Sequence, residues 1–131
     1  MPHLAAVSLL VRDYDEAIAF YVGRLGFDLS ENVDQVHKRW VRVTPRGGQA
    51  SLVLARATTT EQLARIGAQA GDRVWLFLET DDFDRDHAAF TAAGVRFREP
   101  PRDEPYGKVA VFEDLYGNGW DLIQTKRENQ P

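Results

Sequence analysis

The sequence predicts an α+β fold made from one strand–helix–strand–strand–strand module used twice. Three observations carry this. An internal repeat of about 69 positions lays Asp13 on Asp82. Each of those aspartates follows an apolar strand-like run and precedes a helix-like one. The chain also closes on Val109 to Gln124, two apolar stretches around the turn Leu115-Tyr-Gly-Asn-Gly119. Gly and Asn tolerate the left-handed backbone that such a turn needs.

Each element has its own local reason. Leu4 to Val11 is a short apolar run and reads as a strand. Asp13 caps the following helix, with Glu16 three residues on as in a capping box. Tyr14, Ala17, Ile18 and Tyr21 recur at helical spacing and face the core. Gly26 suits the position just past the helix end. Phe27 to Ser30 continues extended, and Asn32 to Lys38 reads as a polar loop or strand edge. Arg39–Thr44 alternates as a strand, Pro45–Gly48 turns, and Ala50–Ala55 returns as a strand. Thr58 to Asp72 is a connector with one or two helical turns capped by Thr60.

The pattern then repeats. Val74–Thr80 is a strand, Asp82 a cap, Asp84–Ala93 a helix and Gly94 its end. Val95–Arg98 alternates as a strand. Glu99 to Pro105 is a loop held extended by proline. Tyr106 and Gly107 lead into the closing pair, and the polar tail from Lys126 frays. The same shift lays Ala6 on Trp75, Gly48 on Gly117, Gln49 on Asn118 and Leu52 on Asp121. Gly26 and Gly94 fall one residue out of step, as a one-residue deletion in the second helix produces.

Composition narrows the function. The chain has 131 residues, long enough for a real core, and is 44% hydrophobic and 27% charged, as ordinary globular domains are. It has no cysteine, which excludes disulfides, thiolate metal sites and thiol catalysis. A formal charge of −4 argues against a nucleic-acid partner. No apolar run reaches membrane-spanning length. Met1–Ala6 lacks a secretory pattern, so the expected setting is the cytoplasm.

With two such modules, the chain resembles the vicinal oxygen chelate superfamily, which includes glyoxalase I, bleomycin-resistance proteins and extradiol dioxygenases. The resemblance rests on Val7-Ser-Leu-Leu-Val-Arg-Asp13, Ala17-Ile-Ala-Phe-Tyr21, Leu25-Gly-Phe27, Ala92-Ala-Gly-Val95 and Asp114-Leu-Tyr-Gly-Asn-Gly-Trp-Asp-Leu-Ile123. It implies one domain over 1–131, with module one at about 4–57, a connector at about 58–72 and module two at about 73–126. It also implies a curled mixed sheet around a cup, helices outside, and a homodimer.

The family's enzymes usually hold a divalent metal on strand residues that correspond here to Ala6, Leu52, Trp75 and Asp121. Alkyl and indole groups offer no lone pair to such an ion, and a catalytic site normally needs about three protein ligands. No metal and no other cofactor is therefore expected. The histidines do not rebuild a site: His3 is an exposed strand start, His37 a solvated loop residue and His87 a surface residue of the second helix. Asp13, Asp81, Asp82 and Asp84 read as helix caps and first-turn charges.

Alternation then gives a small-molecule site. Its expected ligand-binding residues are Ser8, Arg39, Trp40, Leu52, Trp75, Phe77 and Tyr106. Asp121 and Glu79 are the candidate catalytic carboxylates. Besides a non-catalytic module whose use is dimer or partner assembly, two functions stay open on the sequence. One is a metal-free pocket that binds or sequesters an aromatic or cationic compound. The other is a lyase or isomerase of the glyoxalase type using Asp121, Glu79 or His37, or a weakly held metal.

Overall fold

A computed structural model describes residues 1–48 and 50–126. Gln49 and the tail beyond Lys126, which was expected to fray, lie outside the described residues. The chain divides into two compact units, with the boundary between Gln69 and Ala70.

The first unit contains β1 (Ala6–Val11), α1 (Tyr14–Tyr21), β2 (Asp28–Asp34), β3 (Arg39–Thr44), β4 (Ser51–Arg56) and α2 (Thr60–Arg65). Its sheet has the order β1-β4-β3-β2, with β1 parallel to β4 and the other pairs antiparallel. Register decides which residues share a face. Leu9 lies beside Leu54, Val7 beside Leu52, and Val41 and Val43 beside Leu54 and Leu52. Helix α1 packs on β3 and β4. It adds Ala17, Phe20 and Tyr21 to this buried set. Phe20 was not expected in the core; its ring meets Tyr21 edge-on at 5.4 Å. Each large apolar side chain so buried contributes roughly 1.5–3 kcal/mol. The opposite sheet face carries Ser8, Val53 and Arg42 side by side.

The second unit starts with β5 (Gln69–Asp72) at the boundary. It continues with β6 (Val74–Glu79), α3 (Phe83–Ala92), β7 (Arg102–Glu104), β8 (Gly107–Glu113) and β9 (Gly119–Thr125). Its sheet order, β6-β9-β8-β7, repeats that of the first. Again the first and last strands are parallel. Helix α3 packs on β9, and Phe83, Phe90, Phe112, Trp120 and Leu122 are buried. Two four-stranded mixed sheets built by the same strand–helix–strand–strand–strand order make this an α+β fold.

The helix starts follow capping chemistry. Asp13 accepts a hydrogen bond from the Glu16 amide at 2.9 Å, and Asp82 accepts one from Arg85 at 3.1 Å. In α2 the cap is Thr59 rather than Thr60: Thr59 is extended and its hydroxyl accepts from the Gln62 amide at 3.1 Å. Gly26 and Gly94 follow α1 and α3 at φ 75° and 87°, where a side chain would be strained.

The β8–β9 turn is tied by a buried carboxylate. Asp114 Oδ1 accepts from the amides of Tyr116 and Asn118, each at 2.9 Å. Its Oδ2 accepts from Asn118 Nδ2 at 2.9 Å. Gly117, at φ 94°, supplies the left-handed residue.

Three expectations fail locally. Val95–Arg98 is not a strand; it makes one isolated bridge, Phe97 to Phe112. The strand at that edge is β7, inside the expected loop. Pro100 and Pro101 have no N–H, so pairing starts only after them, at Arg102. Gln69–Asp72 is a strand where a connector was expected. At Asn32–Lys38, read as a loop or strand edge, β2 runs to Asp34 and a short turn follows, closed by Gln35 N to Lys38 O at 2.7 Å.

Candidate functional site

The first unit contains a cavity of about 660 Å³. Leu10, Val53 and Ala55 give it an apolar lining, Trp40 and Tyr14 give it aromatic surface, and Arg39, Lys38, Arg56, His37 and Gln62 give it polar groups. Arg39 and Trp40 are neighbours in β3 and so point to opposite faces. Arg39 turns toward α1: it donates to Asp15 Oδ1 at 2.9 Å and to Asn32 Oδ1 at 3.0 Å, and it lies 5.3 Å over the Tyr14 ring. The Asp15 hydrogen bond raises its already high pKa, so Arg39 is a permanent cation. Trp40 turns the other way, and its Nε1 donates to Glu31 Oε1 at 3.1 Å. His37, expected as a solvated loop residue, is exposed and also lines the cavity.

The Leu52 expectation is corrected. Leu52 is 4% exposed and lies with Val7 and Val43 on the α1 side. The residue on the opposite face is Val53, paired laterally with Ser8 and Arg42. Comparing registers explains the slip. Leu54 sits between Leu9 and Val41, as Leu122 sits between Leu78 and Ala110. Val53 is therefore the counterpart of Asp121. The second module is one residue shorter by this point, and period two turns one residue into the other face. Ser8 is exposed, on the Val53 face, as alternation along the first strand predicts.

In the second unit, Asp121 lies between Phe77 and Val111. Phe77 is 67% exposed. Asp121 is half-buried, and its Oδ1 is buried without a hydrogen-bond partner among the described residues. Burial raises its carboxyl above the ordinary range; Arg102 opposes this and Glu99 assists it. Arg102 is itself engaged, by Glu99 at 2.8 Å and Glu104 at 2.7 Å. Glu79 stands in the next row, beside Ile123, and accepts from Thr125 Oγ1 at 2.8 Å. Tyr106 occupies the β7–β8 turn and is 51% exposed.

Trp75 departs from simple alternation. The β6–β9 register shifts between Val74 and Leu76, and Trp75 lies in that irregularity. Its ring meets Trp120 edge-on at 5.7 Å. Nothing in the sequence signals a bulge there. His87 is also not a free surface residue: it is half-buried, 5.5 Å from the Phe83 ring and 4.3 Å from Phe97. Lys38 and Arg56 were missed as cavity residues, because loop and strand-end positions carry no periodic signal; Tyr14 was assigned by helical spacing to the core, and it lines the cavity from the first turn of α1.

The divalent metal implied by the resemblance does not fit these residues. Ala6, Val53 and Trp75 offer no lone pair, which leaves Asp121 as a single carboxylate donor. Among the described residues no three His, Cys, Asp or Glu side chains come together as a metal site. Also among the described residues, no helix is long and apolar enough to cross a membrane.

Comparison with known proteins agrees with this fold. A relative from Shewanella frigidimarina, named only as an uncharacterized protein, is 55% identical over 95% of this chain and 94% of its own. The crystal structure of TnmS3, an antibiotic binding protein from Streptomyces sp. CB03234, is 35% identical with a TM-score of 0.77, covering 96% of this chain and 98% of its own. A glyoxalase/bleomycin resistance protein from the same Streptomyces is 36% identical with a TM-score of 0.73, covering 93% of this chain and 100% of its own. A family model spans residues 2–122. The chain belongs to the family that this model describes, the Glyoxalase/Bleomycin resistance protein/Dioxygenase superfamily.

Proposed function

We propose that this protein binds a flat aromatic small molecule in the cavity of its first unit, without a metal. The observation that carries this is Trp40, an aromatic wall in a cavity of about 660 Å³, a volume suited to a drug-sized ligand. An indole face stacks on flat rings. Arg39 is already held by Asp15, and the other cations of the lining, Lys38 and Arg56, favour an oxygen-rich or anionic substituent over the cationic one. The antibiotic-binding function named for TnmS3, a relative at 35% identity, supports sequestration of such a compound. The expected homodimer and cytoplasmic setting belong to this reading too.

The test is fluorescence quenching by a panel of planar aromatic acids. Saturable binding that weakens about tenfold in Trp40→Ala, roughly 1.4 kcal/mol, supports the reading. Equal binding by Trp40→Ala removes it.

One observation favours an alternative. The unpartnered, raised carboxyl of Asp121 suits proton transfer, as an acid/base of a metal-free lyase or isomerase would require. Glu79, bonded to Thr125, and His37, at the first unit's cavity, are weaker candidates for that role. Turnover of a small oxygenated substrate that Asp121→Asn abolishes would establish this reading.

A further inference from the structure

We propose that Glu31 and Arg42 are positioning residues for the cavity: they hold the Trp40 indole in the orientation that makes the aromatic wall, and so help select the ligand. This rests on the binding function proposed above.

The local sequence explains how Glu31 reaches Trp40. The β2–β3 register shifts between Leu29 and Glu31. That bulge pairs Glu31 with Arg42, on the face that also carries Trp40. Glu31 Oε1 then accepts two hydrogen bonds, from Trp40 Nε1 at 3.1 Å and from an Arg42 terminal nitrogen at 3.2 Å. The other Arg42 terminal nitrogen donates to Ser51 Oγ at 3.1 Å. Ser51 is only 4% exposed, and its hydroxyl also bonds Thr44 at 2.7 Å. Thr44 bonds Ser30, the bulge residue, at 2.8 Å.

A continuous polar chain therefore runs from a buried residue of β4 to the indole. An indole has one N–H. Once Glu31 accepts it, rotation of the ring about its own torsion breaks that bond. Arg42 prevents Glu31 from swinging away, because its two terminal nitrogens are fixed at both ends. An isolated surface ion pair would do little for stability. A pair whose carboxylate also holds a cavity aromatic acts on the geometry of that cavity.

The test uses the whole protein and two readouts. The first is the Trp40 indole N–H resonance, assigned with Trp40→Phe. The second is the Kd for naphthalene-2-sulfonate, a planar anionic probe. In Glu31→Ala the Trp40 resonance moves while those of Trp75 and Trp120 stay, and the Kd rises roughly fivefold or more, about 1 kcal/mol. Glu31→Gln keeps an acceptor oxygen and falls between. An unmoved Trp40 resonance in Glu31→Ala overturns the proposal. So does a moved resonance with an unchanged Kd, because the geometry would then not govern the ligand. If the wild-type protein does not bind the probe, the binding reading fails, and the indole shift alone decides whether Glu31 positions Trp40.

Discussion

Replacing Asp114 by alanine tests how the β8–β9 turn is held. The carboxylate accepts from two backbone amides and from the Asn118 side chain, all at 2.9 Å. Asp114 is 5% exposed and Asn118 3%. Alanine removes the acceptors and leaves buried donors that water reaches poorly. A hydrogen bond to a charged group contributes roughly 1.5–3 kcal/mol, and an orphaned buried donor costs about as much. Non-additivity and partial hydration reduce the sum, so the expected loss is roughly 3–5 kcal/mol. At this chain length that is about 10–20 °C in Tm. Asp114→Asn keeps an amide oxygen for the two backbone donors and loses only the Asn118 side-chain bond, roughly 1–2 kcal/mol. Urea unfolding followed by far-UV circular dichroism measures both. A loss below about 1 kcal/mol for Asp114→Ala would show that this carboxylate does not close the turn.

Further predictions concern charge, close contact and caps. Burial raises the Asp121 carboxyl, so its ionised form destabilises the fold at neutral pH. Asp121→Asn is therefore more stable than wild type at pH 7, and the difference vanishes as pH falls through the folded value into the ordinary carboxylate range; pH-dependent thermal melts read this, and a constant difference refutes it. Gly107→Ala places a Cβ 2.2 Å from the Gln124 carbonyl oxygen, and should cost roughly 2 kcal/mol or more by urea unfolding, as overpacking does. Asp13→Ala and Asp82→Ala each remove a cap and should cost about 1 kcal/mol in the same assay. Calorimetric titration with nickel or zinc should show no site tighter than about 1 μM, and chelator treatment should leave probe binding unchanged.

The fold was legible because local signals agreed with one another. Asp13 and Asp82 capped helices as their spacing implied, and the repeat set the order of strands. The site was less legible for a physical reason. Facing is decided by register, and register by hairpin length and bulges. One residue fewer in the second module moved the counterpart of Asp121 from Leu52 to Val53. An irregularity at Trp75 interrupts the alternation that placed its side chain, and one at Ser30 sets which face Glu31 shares. The cavity residues Lys38 and Arg56 come from a turn and a strand end, where no period applies.

The central claim is that the first unit's cavity binds a flat aromatic ligand through Trp40. The three indole N–H resonances report on it directly, because Trp75 and Trp120 pack against each other in the second unit. On titration with a planar aromatic acid, the account predicts a saturable shift of the Trp40 resonance with Trp75 and Trp120 unmoved. Shifts confined to Trp75 and Trp120 would place the ligand on the second unit and contradict it.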